Sequence, residues 1–289
     1  MSTIFCRYRV AGESESRVGL VTEGRSVIDL REAGVRTLTE LLEDEMELVR
    51  VTEWAQQGSH PELTLADVTL LPPVERQEVW AAGVTYLRSK KARMEESDHN
   101  ASAYDRVYDA PRPELFFKSM PEKVVGPNDF VGIRRDAGWN VPEPELALII
   151  NSQGQLRGYT IGNDMSSRDI EGENTLYLPQ AKIYDRSCAL GPWMVVGATE
   201  EEAREWEIGV SIERGGEEVF CGSTKVGQIK RTFDELMGYL LRSQTFPHGV
   251  ILFTGTGVVP EDSFTLQQHD IVRMKISGIG VLENQVTVV

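Results

Sequence analysis

The stretch Val141-Pro142-Glu143-Pro144-Glu145-Leu146-Ala147-Leu148-Ile149-Ile150 decides how this chain reads. Its second half is an unbroken apolar run, the composition of a buried strand. Glu143 and Glu145 stand two positions apart where that run begins. Residues i and i+2 of a strand point to one face, so both carboxylates can aim at one point. Pro142 and Pro144 flank Glu143 and lack a ladder N–H, which reads as a stiff strand start or an edge. A second extended run, Leu156 to Ile161, can pair back through the turn Asn151-Ser152-Gln153-Gly154. That pairing brings Asp164, in Gly162-Asn163-Asp164, to the same end of the sheet. Three ionised carboxylates at one point repel unless a cation sits among them. Oxygen-only ligation suits a hard divalent ion, Mg²⁺ or Mn²⁺. An alternating Glu pair alone is usually a solvated face, but the run behind Glu145 is too apolar for a surface strand.

Bulk properties narrow the classes. The chain has 289 residues, room for one large domain or two. Its net charge is −15, from 45 acidic and 30 basic residues, which argues against nucleic acid or an anionic membrane as partner. An anionic substrate would then need a local positive site or a metal. Cys6, Cys188 and Cys221 are far apart, with no C-x-x-C, so neither a disulfide framework nor a structural zinc site is expected, and a reducing cytoplasm is. His60, His99, His248 and His269 lack the H-x-x-x-H spacing of zinc hydrolases. No signal peptide and no apolar run of membrane-spanning length is visible.

Residues 1–75 read as a small α+β unit. Val18 to Val21 and Ser26 to Leu30 are short strands around Glu23-Gly24, and Thr37-Leu38-Thr39-Glu40 is a capping box that opens a helix. Leu71-Pro72-Pro73 marks a boundary. Residues 76–289 read as a second, mostly β unit. Trp206 to Glu213 and Glu217 to Cys221 form a hairpin about Gly215-Gly216. Thr232 to Glu235 caps an amphipathic helix carrying Phe233, Leu236, Met237 and Leu240, whose spacing is that of a core helix. Val250 to Thr254, Ile271 to Ile276 and Val281 to Val289 are further strands. The strand–helix alternation of a dinucleotide-binding fold is missing, and Gly255-Thr256-Gly257 is not its fingerprint.

Spaced motifs along the second unit resemble the fumarylacetoacetate hydrolase family. They are Ala82-Gly83-Val84-Thr85-Tyr86, Pro113 to Lys118, Glu143 to Leu146, Gly158 to Asp169, Lys182 to Asp185, Thr254 to Gly257 and Ser277 to Asn284. The resemblance implies a distorted β-roll catalytic domain, a small N-terminal domain and a homodimer or higher homo-oligomer. It also implies a divalent metal on Glu143, Glu145 and Asp164. One departure stands out: Ser89 occupies the place of the histidine that activates water in the family's hydrolases, and serine is no base near neutral pH without a partner. Arg112 to Lys118, Gly172-Glu173-Asn174 and Leu176 to Tyr184 are instead similar to a branch of 2-keto-3-deoxy sugar acid dehydratases, of the 2-keto-3-deoxy-D-arabinonate type. That branch implies Mg²⁺-dependent loss of water from a small 2-keto acid, giving 2,5-dioxopentanoate.

Such chemistry needs a metal that stabilises an enolate, a base at C3 and an acid for the C4 hydroxyl. Lys182 and Glu114 are the candidates for proton transfer. Their structural alternatives are a salt bridge of Lys182 to Asp185, and an ion pair of Glu114 with Arg112 or Lys118. Thr256, Arg88 and Thr85 are candidate substrate contacts. Thr256 offers a hydroxyl between glycines, and Arg88 belongs to a basic cluster with Lys90, Lys91 and Arg93 that is otherwise a solvated face. Arg168-Asp169 reads as an internal ion pair supporting Asp164. The competing expectations are an acylpyruvate hydrolase, decarboxylase or isomerase with the same metal chemistry, and a metal-dependent binding protein without turnover.

Overall fold

A computed structural model describes residues 2–58, 60–87 and 106–289. Arg88, Ser89, Lys90, Lys91, Arg93 and His99 lie outside the described residues. Among the described residues strand is the predominant regular structure, gathered in a large sheet of eleven strands, a second of five and a two-stranded ribbon.

The large sheet is built around the quoted stretch. Pro144–Ile150 pairs antiparallel with Leu156–Asp164 through the Asn151 to Gly154 turn, with Glu145 opposite Gly162 and Pro144 opposite Asn163. On its other side Pro144–Ile150 pairs with Val250–Phe253, so it is an interior strand rather than an edge. The prolines are compatible with this because they stand at its start, where few ladder bonds are due. Every residue from Pro144 to Ile150 is buried. Leu146, Leu148 and Ile150 pack toward the five-stranded sheet, with Ile208, Val210, Val272, Met274 and Leu282. The intervening Ala147 and Ile149 pack on the opposite face with Leu38, Leu41, Leu42 and Val51. Two covered faces explain why the run is apolar at every position instead of alternating.

Beyond Val250–Phe253 the sheet continues with Glu78–Gly83 in parallel and then Glu114–Ser119. In the other direction Cys188–Val196 follows Leu156–Asp164. Thr3–Val10 then pairs with Cys188–Val196, Phe5 opposite Met194, so the N-terminal strands extend the same sheet. Arg17–Thr22, Ser26–Asp29 and Glu62–Thr64 continue that arm, and Val68–Leu71, also antiparallel to Thr3–Val10, is the eleventh strand.

The local turn and cap signals form, the two threonine boxes through the threonine's bond alone. Thr37 caps Leu38–Glu43 by accepting from the Glu40 N–H, and Thr232 caps Phe233–Leu240 by accepting from the Glu235 N–H. The hairpin is Glu207–Arg214 and Glu217–Lys225, with Gly215 and Gly216 in the left-handed region. No helix among the described residues is long and apolar enough to cross a membrane. Cys6, Cys188 and Cys221 are free.

Candidate active site

The antiparallel pairing of Pro144–Ile150 with Leu156–Asp164 sets three carboxylates together. The Asp164 N–H donates to the Glu143 carbonyl at 3.0 Å, closing that end of the pair. The ribbon of Asn140–Val141 with Ser166–Ser167 fixes the chain on either side of the two acids. Glu143, Glu145 and Asp164 are all buried, and each offers an oxygen within 4.8 Å of the others. Burial, followed by the neighbouring Asp164 and Glu143 charges, pushes the Glu145 carboxyl well above the usual range. The Gly255 N–H donates to its Oε2 at 2.5 Å.

Three cations from different elements answer these charges. Lys182, at the end of the helix Leu178–Lys182, donates from Nζ to Glu143 Oε2 at 2.7 Å, Asp164 Oδ2 at 2.9 Å and Ser166 Oγ at 2.5 Å. Lys118, fully buried on Glu114–Ser119, reaches Asp164 Oδ1 at 2.5 Å. Arg168, first residue of the helix Arg168–Glu173, reaches Glu143 Oε1 at 2.7 Å. Buried charges of this kind persist only when paired. The ion pair read for Lys182 and Asp185 is replaced, since Asp185 faces Lys123 at 3.2 Å. Lys118 serves Asp164 in place of the pairing considered for Glu114. Asp169 accepts from the Gly138 N–H at 2.6 Å and the Trp139 N–H at 3.3 Å, which pins the helix start.

A narrow cleft, with room of about 20 Å³, opens onto this cluster. Beside the triad and Lys182, its walls include Glu114, Phe116, Glu171 and Thr256. Glu114 lies directly over Gly83, where a Cβ would sit only 2.6 Å from its Cδ. Val84, also lining the cleft, has φ +52°, a strained conformation for a β-branched residue. Thr256 pairs its hydroxyl with the backbone of Val258, at 3.2 Å to the carbonyl and 3.3 Å to the N–H. Thr85 is one layer back. Its hydroxyl donates to the Thr254 carbonyl at 2.6 Å, and it fills the space under Gly255 that a side chain there would need. Gly255 has φ +93°, so glycine is required both for that conformation and for that close approach.

Lys118, Glu171 and Gly255 escaped the sequence reading as members of this site, and Arg168, read as paired with Asp169 in support of Asp164, reaches Glu143 instead. The signal for Lys118 was present: a lysine closing the apolar segment Leu115-Phe116-Phe117 needs a buried anion. Gly255 could have been found as the turn glycine directly after a buried strand. Arg168 and Glu171 carry no comparable local mark.

The donor set fits a hard divalent cation. It is oxygen-only and buried, and it includes a carboxyl whose ionisation is opposed by its neighbours until a cation arrives.

Comparison with known proteins places this geometry in a wider group. The chain is 49% identical over 217 residues, 75% of its length and 74% of the relative's, to a Haloferax volcanii protein described as "probable 2-keto-3-deoxyxylonate dehydratase". It is 37% identical over 266 residues, 91% of its length and 89% of the relative's, to the 2-dehydro-3-deoxy-D-arabinonate dehydratase of Saccharolobus solfataricus. A solved 2-keto-3-deoxy-D-arabinonate dehydratase complexed with magnesium and 2,5-dioxopentanoate superimposes with a TM-score of 0.80 at 31% identity, covering 100% of this chain and 99% of that one. The family profile for the fumarylacetoacetate (FAA) hydrolase C-terminal region matches residues 78–287, which includes every acid and base of the cleft. The chain belongs to the fumarylacetoacetate hydrolase family.

Proposed function

We propose that this protein is a Mg²⁺-dependent hydro-lyase that dehydrates a 2-keto-3-deoxypentonate to 2,5-dioxopentanoate. The observation that carries the reading is the likeness over the whole chain to a dehydratase that holds magnesium and 2,5-dioxopentanoate. The relatives' two sugar names need not conflict. D-Xylonate and D-arabinonate differ only at C2 and C3; removing the C3 hydroxyl and oxidising C2 leaves C4 as the sole stereocentre, so both give one D-series keto acid.

In this reading Glu143, Glu145 and Asp164 hold Mg²⁺, with Mn²⁺ as a substitute. The bound ion supplies Lewis-acid stabilisation of negative charge on the C2 oxygen as C3 loses a proton. Lys182 exchanges the C3 proton from within the cleft. Glu114, across from it, delivers a proton to the departing C4 hydroxyl, so that C3–H and C4–OH leave together as water. Moving a proton from C5 to C3 then gives the C4=C5 enol, and moving the enol O–H proton to C4 makes C5 the aldehyde of 2,5-dioxopentanoate. Thr256 and Arg88 contact the substrate, and Thr85 acts through the Thr254 to Thr256 segment that it supports. Residues 1–75 form a small unit appended to a catalytic unit of 76–289. The enzyme works in the cytoplasm as a homodimer or higher homo-oligomer.

The test is a substrate panel. 2-Keto-3-deoxy-D-pentonate, its six-carbon homologue and an acylpyruvate are each incubated with the protein and Mg²⁺, and products are identified by mass. Dehydration of the pentonate at the highest kcat/KM is expected. Pyruvate or acetate released from the acylpyruvate, with both deoxy acids untouched, would reject the reading.

A further inference from the structure

The two oxygens of Asp164 have different partners, and so do those of Glu143. Asp164 Oδ1 is held by Lys118 Nζ at 2.5 Å, and Glu143 Oε1 by Arg168 Nη2 at 2.7 Å. The remaining oxygens, Asp164 Oδ2 and Glu143 Oε2, both accept from one group, Lys182 Nζ, at 2.9 and 2.7 Å. Ser166 Oγ donates to the Asp164 carbonyl at 2.9 Å, which leaves its lone pairs free to accept from the same ammonium at 2.5 Å. An ammonium has three donors, and three acceptors stand ready. Glu143, Asp164, Glu145 and Lys182 line the cleft, whereas Lys118 and Arg168 stand behind it. The two oxygens that share the Lys182 ammonium thus belong to two different acids of the triad.

We propose that Lys182 and a divalent cation contend for the same two carboxylate oxygens. Cation binding and release of the Lys182 ammonium from the acid cluster are then one event. Lys118 and Arg168 are positioning residues that keep one oxygen of each acid turned outward and the other inward. The inference rests on the metal assignment above and not on the identity of the sugar acid. Its physical basis is that a doubly charged ion and an ammonium on the same oxygens repel one another at close range in a site with little water. The backbone of Lys182 does not have to move. Its carbonyl accepts from Lys118 Nζ and from Ser187 Oγ at 2.9 Å, so only the side chain swings. The Phe116 ring, centred 5.8 Å from Nζ, and Glu114 form the cleft wall toward which it can turn. The amine is thus stowed on the acids without metal and turned to the cleft with it.

The experiment is calorimetric titration of Mg²⁺ into the chelator-stripped full-length chain and its Lys182→Met, Lys182→Arg and Lys118→Met variants. Removing the competitor should tighten Mg²⁺ binding by about tenfold or more in Lys182→Met, in the usual range for coupled sites. Lys182→Arg, which keeps a cation there, should show no such gain. Lys118→Met removes an equal charge from the same aspartate but frees neither of the two oxygens that Lys182 holds, and it should gain far less than Lys182→Met. Wild-type or weaker affinity in Lys182→Met overturns the proposal. So does an equal gain in both methionine variants, which would reduce the effect to net charge. If stripped Lys182→Met does not stay folded, the Mg²⁺-induced rise in melting temperature of Lys182→Gln decides: a larger rise than wild type supports the exchange, and an equal or smaller one overturns it. A wild-type chain that binds no Mg²⁺ overturns the metal assignment as well, whereas the other outcomes leave it and the dehydratase reading standing.

Discussion

Replacing Gly83 by alanine should separate the catalytic role of Glu114 from its place in the fold. Gly83 ends the strand Glu78–Gly83 and does not have positive φ, so its backbone accepts an alanine. The three atoms nearest the added Cβ all belong to Glu114: Oε2 overlaps it, Cδ would be 2.6 Å away and Cγ 3.3 Å. Ordinary carbon contacts lie at ~3.5–4.0 Å, so the carboxyl group must retreat by about 1 Å. A displacement of ~1 Å at a reacting group costs on the order of 10²-fold in rate, or about 2.7 kcal/mol of barrier. The fold should not suffer. Glycine to alanine at a compatible position typically adds ~0.4–1 kcal/mol of stability by restricting the unfolded chain. The expected pattern is a kcat lower by about two orders of magnitude, unchanged Mg²⁺ affinity and a melting temperature equal to or slightly above wild type. A double-mutant cycle tightens the argument: added to Glu114→Gln, Gly83→Ala should cost little more, because the displaced group has already lost its function. Full activity of Gly83→Ala, or additive losses in the double variant, would refute the reasoning.

Three further outcomes are expected. Lys118→Met leaves Asp164 Oδ1 without its buried counter-charge and two carbonyls without their donor, and breaking such a pair should destabilise the metal-free fold by about 3–5 kcal/mol in denaturant titration; a loss under ~1 kcal/mol would place the pair among those of surface worth. Glu145→Gln should collapse Mg²⁺ binding in calorimetry while the chain stays folded; undiminished binding would remove Glu145 from the ligand set. Because the folded Glu145 carboxyl titrates above its unfolded value of ~4.3, the native metal-free state holds a proton that the unfolded chain has released. Its contribution is fully present below the unfolded pKa and is lost as pH rises through the folded one. In chelator, the melting temperature of wild type relative to Glu145→Gln should therefore fall as pH rises from about 4.3, and excess Mg²⁺ should abolish the fall; a flat or rising difference would contradict the burial of that charge.

The parts of the fold written in short-range pattern were legible. The turn at Asn151 to Gly154, the Thr37 and Thr232 caps and the Gly215-Gly216 hairpin depend on residues adjacent in sequence; the turn and the hairpin form as read, and the two boxes form by their threonine caps alone. The convergence of Glu145 and Asp164 followed from one turn and the pairing it sets, whereas Glu143 joins them from the link between Asn140–Val141 and Pro144–Ile150 and not by strand period. Long-range pairings left no such trace. The strand Thr3–Val10 carries alternating and charged residues that fit many partners, and nothing in it announces Cys188–Val196 as its neighbour. The same holds for Lys118 and Arg168, whose anions arrive from other elements of the fold. Thr85 shows the reverse error of scale: a motif residue beside the cleft whose hydroxyl is already committed to the Thr254 carbonyl behind it.

The most direct measurement follows uniformly ¹³C-labelled 2-keto-3-deoxy-D-pentonate by NMR in the presence of the protein, with Mg²⁺ and after its chelation. The expected result is an intact five-carbon product with an aldehyde at C5 and a ketone at C2, formed only with the metal present. Labelled two- and three-carbon fragments, or the same product at the same rate in chelator, would contradict a metal-dependent dehydration at Glu143, Glu145 and Asp164.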